Sequence, residues 1–306
     1  MEILVTGASG FLGTHLCQRL LARGDRVTQV STQEADLRLT HSLDTFSGVR
    51  YDVIFHLAAW TQAGDFCLSH PGEQWIINQQ INTNVLAWWQ AAQPQAKLVA
   101  MGTSCSYAPN RELVETHYME GVPIDSLYTY AMTKRMLLVG LRALQCQYGL
   151  KYLYLVPSTL YGPAYHPRGK QLHFIFDLIR KIVAGKRQGC QVVLWGDGLQ
   201  QRELIFADDF VTAALALTER VHNEVINIGG GKEHSIRWFA ERICEVVGYD
   251  PGLIQYDKSR YVGARSKVLN IGKLNHLLPE FRPMPLQEGL RKTVTWFEST
   301  YGGGSH

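Results

Sequence analysis

Charge of one sign is what this chain lacks most plainly. Its 30 lysines and arginines face 27 aspartates and glutamates, a net charge of +3, with no long run of either sign. Such a surface gives no electrostatic footprint for nucleic acid or an anionic membrane, so neither is expected as a partner. No apolar run reaches the length that spans a bilayer. The first strand reads from Glu2 without a basic stretch or apolar core before it, so no secretory leader is expected and the cytoplasm is the expected location. The six cysteines, at positions 17, 67, 105, 146, 190 and 244, are scattered. With no CxxC and no Cys/His ligand spacing, they are expected as free thiols, and no metal site is expected. Internal repeats and low-complexity segments are absent. Residues 301–306, ending Gly302-Gly303-Gly304-Ser305-His306, read as a disordered tail outside the fold.

What is present is a full apolar core and a motif at the very start. Apolar residues make up 46% of the 306 and charged residues 19%, which suits one large α/β unit with a smaller appended lobe. Residues 1–6 read as a buried strand, followed at once by Gly7-Ala8-Ser9-Gly10-Phe11-Leu12-Gly13 and an amphipathic helix over 14–23. Gly7 suits the tight turn, Gly10 the approach of a pyrophosphate, and Gly13 close helix–strand packing. The helix N-terminus then faces the phosphates with free N–H groups.

Strands and helices alternate, which predicts a Rossmann-type doubly wound parallel sheet covered on both faces. Strands are predicted over 26–30, 51–59, 97–101 and 151–156, with long helices near 73–93 and 129–148. Residues 1–160 are expected to form the dinucleotide-binding domain, with part of about 200–228 returning to it. Beyond Pro157 the texture changes: Gly162, Pro163, Pro167 and Gly169 cluster, and residues 161–300 are expected to form mainly a substrate lobe. Ligands of such sheets sit at the carboxyl ends of the strands. Gly7, the small residues after Leu57 (Ala58 and Ala59), Thr103 and Pro157 all follow predicted strands and should meet in one crevice.

Tyr130 and Lys134 lie four apart on a predicted helix, hence on one face. An ammonium beside a phenol is expected to lower its pKa, which makes Tyr130 a candidate general acid for a ketone receiving hydride.

The fingerprint at 6–13, the strand-end hydroxyl of Thr103 and the Tyr130/Lys134 pair together resemble the extended short-chain dehydrogenase/reductases. Residues 102–107, the segment 157–163, His173, and Trp195-Gly196-Asp197-Gly198 with Arg202-Glu203 look, more narrowly, like the GDP-fucose synthases. That family acts on a GDP-4-keto-6-deoxy sugar by 3,5-epimerisation and then 4-keto reduction. The resemblance implies that Thr103 polarises the carbonyl, Tyr130 supplies the proton and Lys134 binds the nicotinamide ribose. It implies Cys105 and His173 as epimerisation base and acid, Arg202 as a grip on the substrate diphosphate, and Trp195 as a pocket wall. This chain departs from the pattern in three places: Thr103 replaces a serine, Thr159 an asparagine that contacts the sugar, and Ser9 a basic residue near the cofactor's 2′-phosphate.

Ser31 occupies the end of the second strand, where NAD enzymes of this type carry an acid. NADP(H) is therefore favoured, while Glu34 and Asp36 keep NAD(H) open. The leading expectation is an NADPH-dependent nucleotide-sugar 4-ketoreductase, with or without C3/C5 epimerisation, its partner a small nucleotide-sugar. A redox-neutral 4-epimerase or 4,6-dehydratase is the second reading, and a non-catalytic cofactor-binding regulator the third. The two long helices are expected to pair across a two-fold axis as a four-helix bundle in a homodimer, with Trp88 and Trp89 in that interface or in the core.

Overall fold

The computed structural model describes residues 1–61, 66–166, 172–259 and 265–301. Pro167, Gly169 and residues 302–306, singled out above, lie outside the described residues.

The chain opens with β1 (Glu2–Thr6), α1 (Phe11–Ala22), β2 (Arg26–Val30) and β3 (Val53–His56). There follow α2 (Phe66–Ser69), α3 (Pro71–Ala92), β4 (Lys97–Met101), α4 (Tyr128–Tyr148), β5 (Tyr152–Pro157) and β6 (Thr159–Tyr161). The remainder is α5 (Phe174–Gln188), β7 (Val192–Trp195), β8 (Gln201–Phe206), α6 (Ala207–Arg220), β9 (Glu224–Ile228) and β10 (Glu233–Ser235). The chain ends in α7 (Ile236–Val247), β11 (Ile254–Asp257), α8 (Gly272–Leu277) and α9 (Leu286–Tyr301). The helix predicted over 14–23 starts three residues earlier, so Gly13 lies inside α1. The strand predicted over 51–59 is confined to Val53–His56, which frees Leu57-Ala58-Ala59 as the loop beyond it. Tyr301, assigned above to the tail, closes α9, and its hydroxyl pairs with His166 Nδ1 at 2.7 Å.

Six strands form one all-parallel sheet in the order β2-β1-β3-β4-β5-β9. Strand direction alternates the side chains, so each strand feeds two cores. Leu4, Ile54, Leu98 and Tyr154 meet Val85, Trp89, Leu138 and Leu141 of α3 and α4 on one face. Ile3, Val5, Phe55, Val99 and Leu155 meet Leu16 and Leu20 of α1 and Phe210 and Val211 of α6 on the other. Trp88 and Trp89 belong to the first of these cores rather than to a subunit interface. Their indole N–H groups are satisfied internally, by Ser47 Oγ and by the Ala96 carbonyl, both at 2.9 Å.

A third core lies under α5, α7 and α9, around Ile179, Ile182, Phe239, Ile243, Leu290 and Val294. Two small sheets border it, β10-β8-β6 and β11-β7. Part of the stretch 200–228 returns to the large sheet. β8 pairs with β6 and β10, and only α6 and β9 rejoin the large sheet. His15 of α1 bridges the parts: its ring nitrogens contact Asp208 Oδ1 at 2.7 Å and the Pro163 carbonyl at 3.0 Å. Among the described residues no helix is long and apolar enough to cross a membrane.

Candidate active site

Strand order reverses between β1 and β3, and the loops leaving the carboxyl ends of β1, β3, β4 and β5 gather there. Gly7 has φ 69°, and a Cβ on it would lie 2.8 Å from the Ala58 nitrogen. A Cβ on Gly13 would stand 2.3 Å from the Gly7 carbonyl oxygen. Only glycine fits at either position, and the gap between the two loops is lined by backbone. Gly10 caps α1 in an extended conformation, without a capping side chain and with no acid in the first turn. The N–H groups of that turn, with exposed Ser9 and Gly10 and half-buried Phe11 and Leu12, form a cradle whose dipole and donors suit a diphosphate. At the end of β5, past Pro157, the Ser158 hydroxyl is buried with no partner among the described residues. These features fit a dinucleotide laid across the strand ends.

The end of β2 differs from the sequence expectation. Ser31 carries no carboxylate, but Glu34 folds back to supply one. Its Oε2 accepts from the Ser31 N–H at 2.8 Å and the Ser31 hydroxyl at 2.5 Å. Arg38, the nearest cation, is engaged by Asp36 through Nε and Nη2.

Thr103 leaves β4 under two buried tyrosines. Its N–H donates to the Tyr118 hydroxyl at 3.3 Å, and Tyr118 pairs with the Tyr154 hydroxyl at 3.0 Å. Tyr154 in turn donates to the Lys134 carbonyl at 2.7 Å, so the β4 end and the middle of α4 share one hydrogen-bonded strut. Arg135 is buried and donates to the Ser106, Glu120 and Gly121 carbonyls, pinning the loop that carries Cys105 against α4. Lys134 is buried, with its Nζ 5.9 Å from the centroid of the Tyr130 ring.

The expected lowering of the Tyr130 pKa is not seen. Burial, reinforced by the nearby Cys105, Tyr118 and Cys67, pushes the phenol above its ordinary value. The same burial lowers Lys134 to about 8. Two groups withdrawn from water both favour their neutral forms. Tyr130 is thus held protonated, the state a proton donor needs.

Cys105 is half-buried beside Tyr130. Burial works to raise its thiol, but the Lys267 ammonium, the Thr103 hydroxyl and the Arg202 guanidinium together bring it below the usual value. His173 stands at the N-terminus of α5, exposed to water yet ringed by protein, which pulls its imidazole below the ordinary value. Its described ring contact is with Tyr165, 6.3 Å away, and no described contact joins it to Cys105. Thr159 opens β6 opposite Leu204, and Trp195 ends β7 with Lys181 Nζ 5.6 Å above its ring. Arg202 lies on β8 with its charge felt at Cys105.

Lys267 escaped the sequence reading; its Nζ lies 3.4 Å from the Cys105 sulfur, across 162 residues of chain. Glu203 had been seen only as Arg202's neighbour. It is buried, and accepts from the N–H groups of Gly231 at 2.7 Å and Leu269 at 2.9 Å. Burial raises its carboxyl to about 7. Among the described residues no three His, Cys, Asp or Glu side chains gather as a metal-ligand set.

A glycine cradle at the head of a parallel sheet, with a hydroxyl, a tyrosine and a lysine at the ends of adjacent elements, defines a dinucleotide-dependent oxidoreductase of the extended short-chain type. The chain belongs to the NAD dependent epimerase/dehydratase family, whose model matches residues 3–229. It is 28% identical over 320 residues to a GDP-L-fucose synthase of Escherichia coli, covering 97% of this chain and 96% of the relative. It is 27% identical to a dTDP-4-dehydro-6-deoxy-D-allose reductase of Streptomyces bikiniensis, covering 96% and 95%. An NADP-bound GDP-L-fucose synthetase of Naegleria fowleri superposes with a TM-score of 0.88 at 23% identity, over 99% of this chain and 94% of that one. A GDP-6-OMe-4-keto-L-xylo-heptose reductase of Campylobacter jejuni superposes equally well, with a TM-score of 0.88 at 20% identity over 98% of each chain.

Proposed function

We propose that this protein reduces the 4-ketone of a nucleotide-linked sugar with NADPH, and exchanges protons at C3 and/or C5 of the same substrate. The substrate class is a GDP-linked 4-keto-6-deoxyhexose or 4-keto-heptose. The observation that carries the reading is Cys105 near Tyr130 with the Lys267 ammonium 3.4 Å from its sulfur, beside a dinucleotide cradle. A reductase alone needs the tyrosine and lysine. A thiol of lowered pKa in the same pocket adds a base for the acidic carbons that flank a ketone. The names of the relatives, a GDP-L-fucose synthase, a GDP-L-colitose synthase and a dTDP-4-dehydro-6-deoxy-D-allose reductase, support the nucleotide-sugar class.

Residues 1–160 with α6 and β9 bind the cofactor in this reading, and residues 161–300 supply most substrate contacts. Bound at the cradle, the reduced nicotinamide supplies the hydride. Lys134 holds its ribose and keeps a positive charge beside the phenol at neutral pH. Thr103 donates to the carbonyl oxygen, and Tyr130 gives its proton to the alkoxide, which is more basic than a phenolate even when burial raises the latter. Arg202 grips the diphosphate through its guanidinium fork, Trp195 walls the pocket, and Thr159 contacts the sugar. His173 returns a proton to the face opposite Cys105.

NADPH is favoured because β2 ends in a hydroxyl with no carboxylate of its own. A second reading, NADH, is favoured by Glu34, whose carboxylate sits on Ser31 where a ribose diol would be bound. Comparing kcat/KM for the two cofactors in the wild type and in Glu34→Gln decides between them. We also propose that the protein is a homodimer through α3 and α4, whose outer faces expose Trp75, Ile76, Tyr128, Met136 and Val139.

One incubation tests the chemistry: enzyme, NADPH and GDP-4-keto-6-deoxymannose in deuterated water. The expected result is cofactor oxidation with deuterium at C3 or C5 of the product. A sugar product formed without net cofactor consumption would overturn the reading in favour of an epimerase or dehydratase.

A further inference from the structure

We propose that Lys267 holds Cys105 as a thiolate, so that an ammonium–thiolate pair, built from two distant parts of the chain, is the base of this site. The inference deepens the proposed function and rests on it for the substrate. The pair itself rests on geometry. Lys267 Nζ lies 3.4 Å from Cys105 Sγ, a charge-assisted contact that is partly buried.

The surroundings of the pair are one-sided. Among the described residues, the charged and titratable groups that act on Cys105 are Lys267 and Arg202, with the neutral phenol of Tyr130 and the Cys67 thiol alongside. The Thr103 hydroxyl, which accepts from the Cys105 N–H at 3.3 Å, also favours the charged sulfur. The ammonium in contact, the guanidinium charge and the hydroxyl therefore all favour the charged sulfur. Three other cysteines, Cys17, Cys67 and Cys244, have no such company, and burial drives their thiols upward. A cysteine serving only as a small apolar filler gains nothing from a lysine drawn in beside it.

The fold also fixes the strap that carries Lys267, on both sides of the residue. Before it, the Gln201 N–H donates to the Arg265 carbonyl at 2.8 Å, and the Ser266 hydroxyl donates to Glu233 at 2.5 Å. After it, the Leu269 N–H donates to Glu203 Oε2 at 2.9 Å, and the Asn270 N–H to the Leu113 carbonyl at 3.0 Å. Asn227 Nδ2 closes the strap by donating to the Asn270 carbonyl at 3.0 Å. Glu203 thus positions Lys267, while its neighbour Arg202 bears on the same sulfur.

In the reaction the thiolate takes H⁺ from the carbon next to the sugar ketone. An S–H bond forms, the C–H bond breaks, and its electron pair moves to the ketone oxygen as an enolate. Lys267 stays protonated throughout. The carbon later recovers a proton from the opposite face, and the Cys105 thiol returns its own proton to solvent. Lys267 acts through the cysteine and is a positioning residue.

The test is alkylation of Cys105 by iodoacetamide as a function of pH, read by peptide mass spectrometry. The background carries Cys146→Ser and Cys190→Ser, because those two thiols are exposed. Lys267→Met should move the alkylation midpoint up by roughly one pH unit or more and slow the reaction about tenfold at pH 7. Lys267→Arg, which keeps the cation, should hold the midpoint near that of wild type. A wild-type midpoint at or above that of an ordinary thiol would overturn the pair whatever the variants do. So would a Lys267→Met profile that superposes on wild type in folded protein that still binds NADPH. If that variant also binds GDP more weakly, Lys267 is a phosphate ligand only. Alkylation needs no sugar, so absent ketone reduction beside a shifted profile would count against the proposed function and leave the pair standing.

Discussion

At the scale of single residues, burial decides most of the electrostatics of this site. Tyr130, Lys134 and Glu203 are all moved toward their neutral forms by withdrawal from water, and only Cys105 is moved toward its charge. Glu203 offers a direct check. Its folded pKa of about 7 lies above the ordinary 4.5, so between these values the native protein holds a proton that the unfolded chain has lost. Its contribution to stability is greatest at low pH and is lost as pH rises through that window. At about 1.4 kcal/mol per pKa unit, the wild type should lose on the order of 3 kcal/mol relative to Glu203→Gln across the window. Urea unfolding of both proteins at several pH values measures this, and parallel stability curves would contradict it.

At the scale of elements, the parts that could be read from sequence are those whose meaning is local. Three glycines between a strand and a helix, and a tyrosine and lysine one helical turn apart, carry their geometry in their spacing. The elements that hold them begin and end within a few residues of expectation. What escaped is what the tertiary fold delivers. Lys267 reaches Cys105 from a strap beyond residues 3–229, the span the family model matches, and no local pattern marks it. Glu34 and Asp36 were both legible as nearby acids, but that Glu34 is the one whose carboxylate reaches Ser31 depends on how the chain turns after β2. The lowered phenol pKa assumed from the Tyr130/Lys134 spacing failed because spacing reports proximity and says nothing about desolvation.

His15 tests the coupling of α1 to α6 and to the loop at Pro163. Burial works to lower its pKa, but Asp208 and the Pro163 carbonyl outweigh that and leave it raised above 6.5. The stability this contact gives is therefore full below pH 6.5 and fades as pH climbs through the raised folded value. His15→Ala should show a pH-dependent loss of about 1 kcal/mol at pH 6, added to a constant packing loss, and only the packing loss at pH 9. Thermal unfolding at the two values separates them; a pH-independent difference would contradict a charged bridge.

At the scale of the whole molecule, the outer faces of α3 and α4 carry the argument for assembly. Trp88 and Trp89 are buried in the core, yet Trp75, Ile76 and Tyr128 remain exposed around a shared groove, and Met136 and Val139 are exposed further along α4. Apolar residues contiguous across two helices mark an interface more often than a free surface. The double substitution Ile76→Arg with Val139→Arg should give a folded monomer, while the wild type sediments as a dimer at micromolar concentration. A monomeric wild type would contradict the assembly.

The central claim is that Tyr130 delivers the proton while hydride reaches the same carbonyl. The measurement that bears on it most directly is single-turnover reduction of GDP-4-keto-6-deoxymannose by Tyr130→Phe, with NADPH affinity measured in parallel. The account predicts a fall in the rate of roughly a hundredfold to ten-thousandfold with cofactor affinity unchanged. Reduction at the wild-type rate in the phenylalanine variant would contradict it.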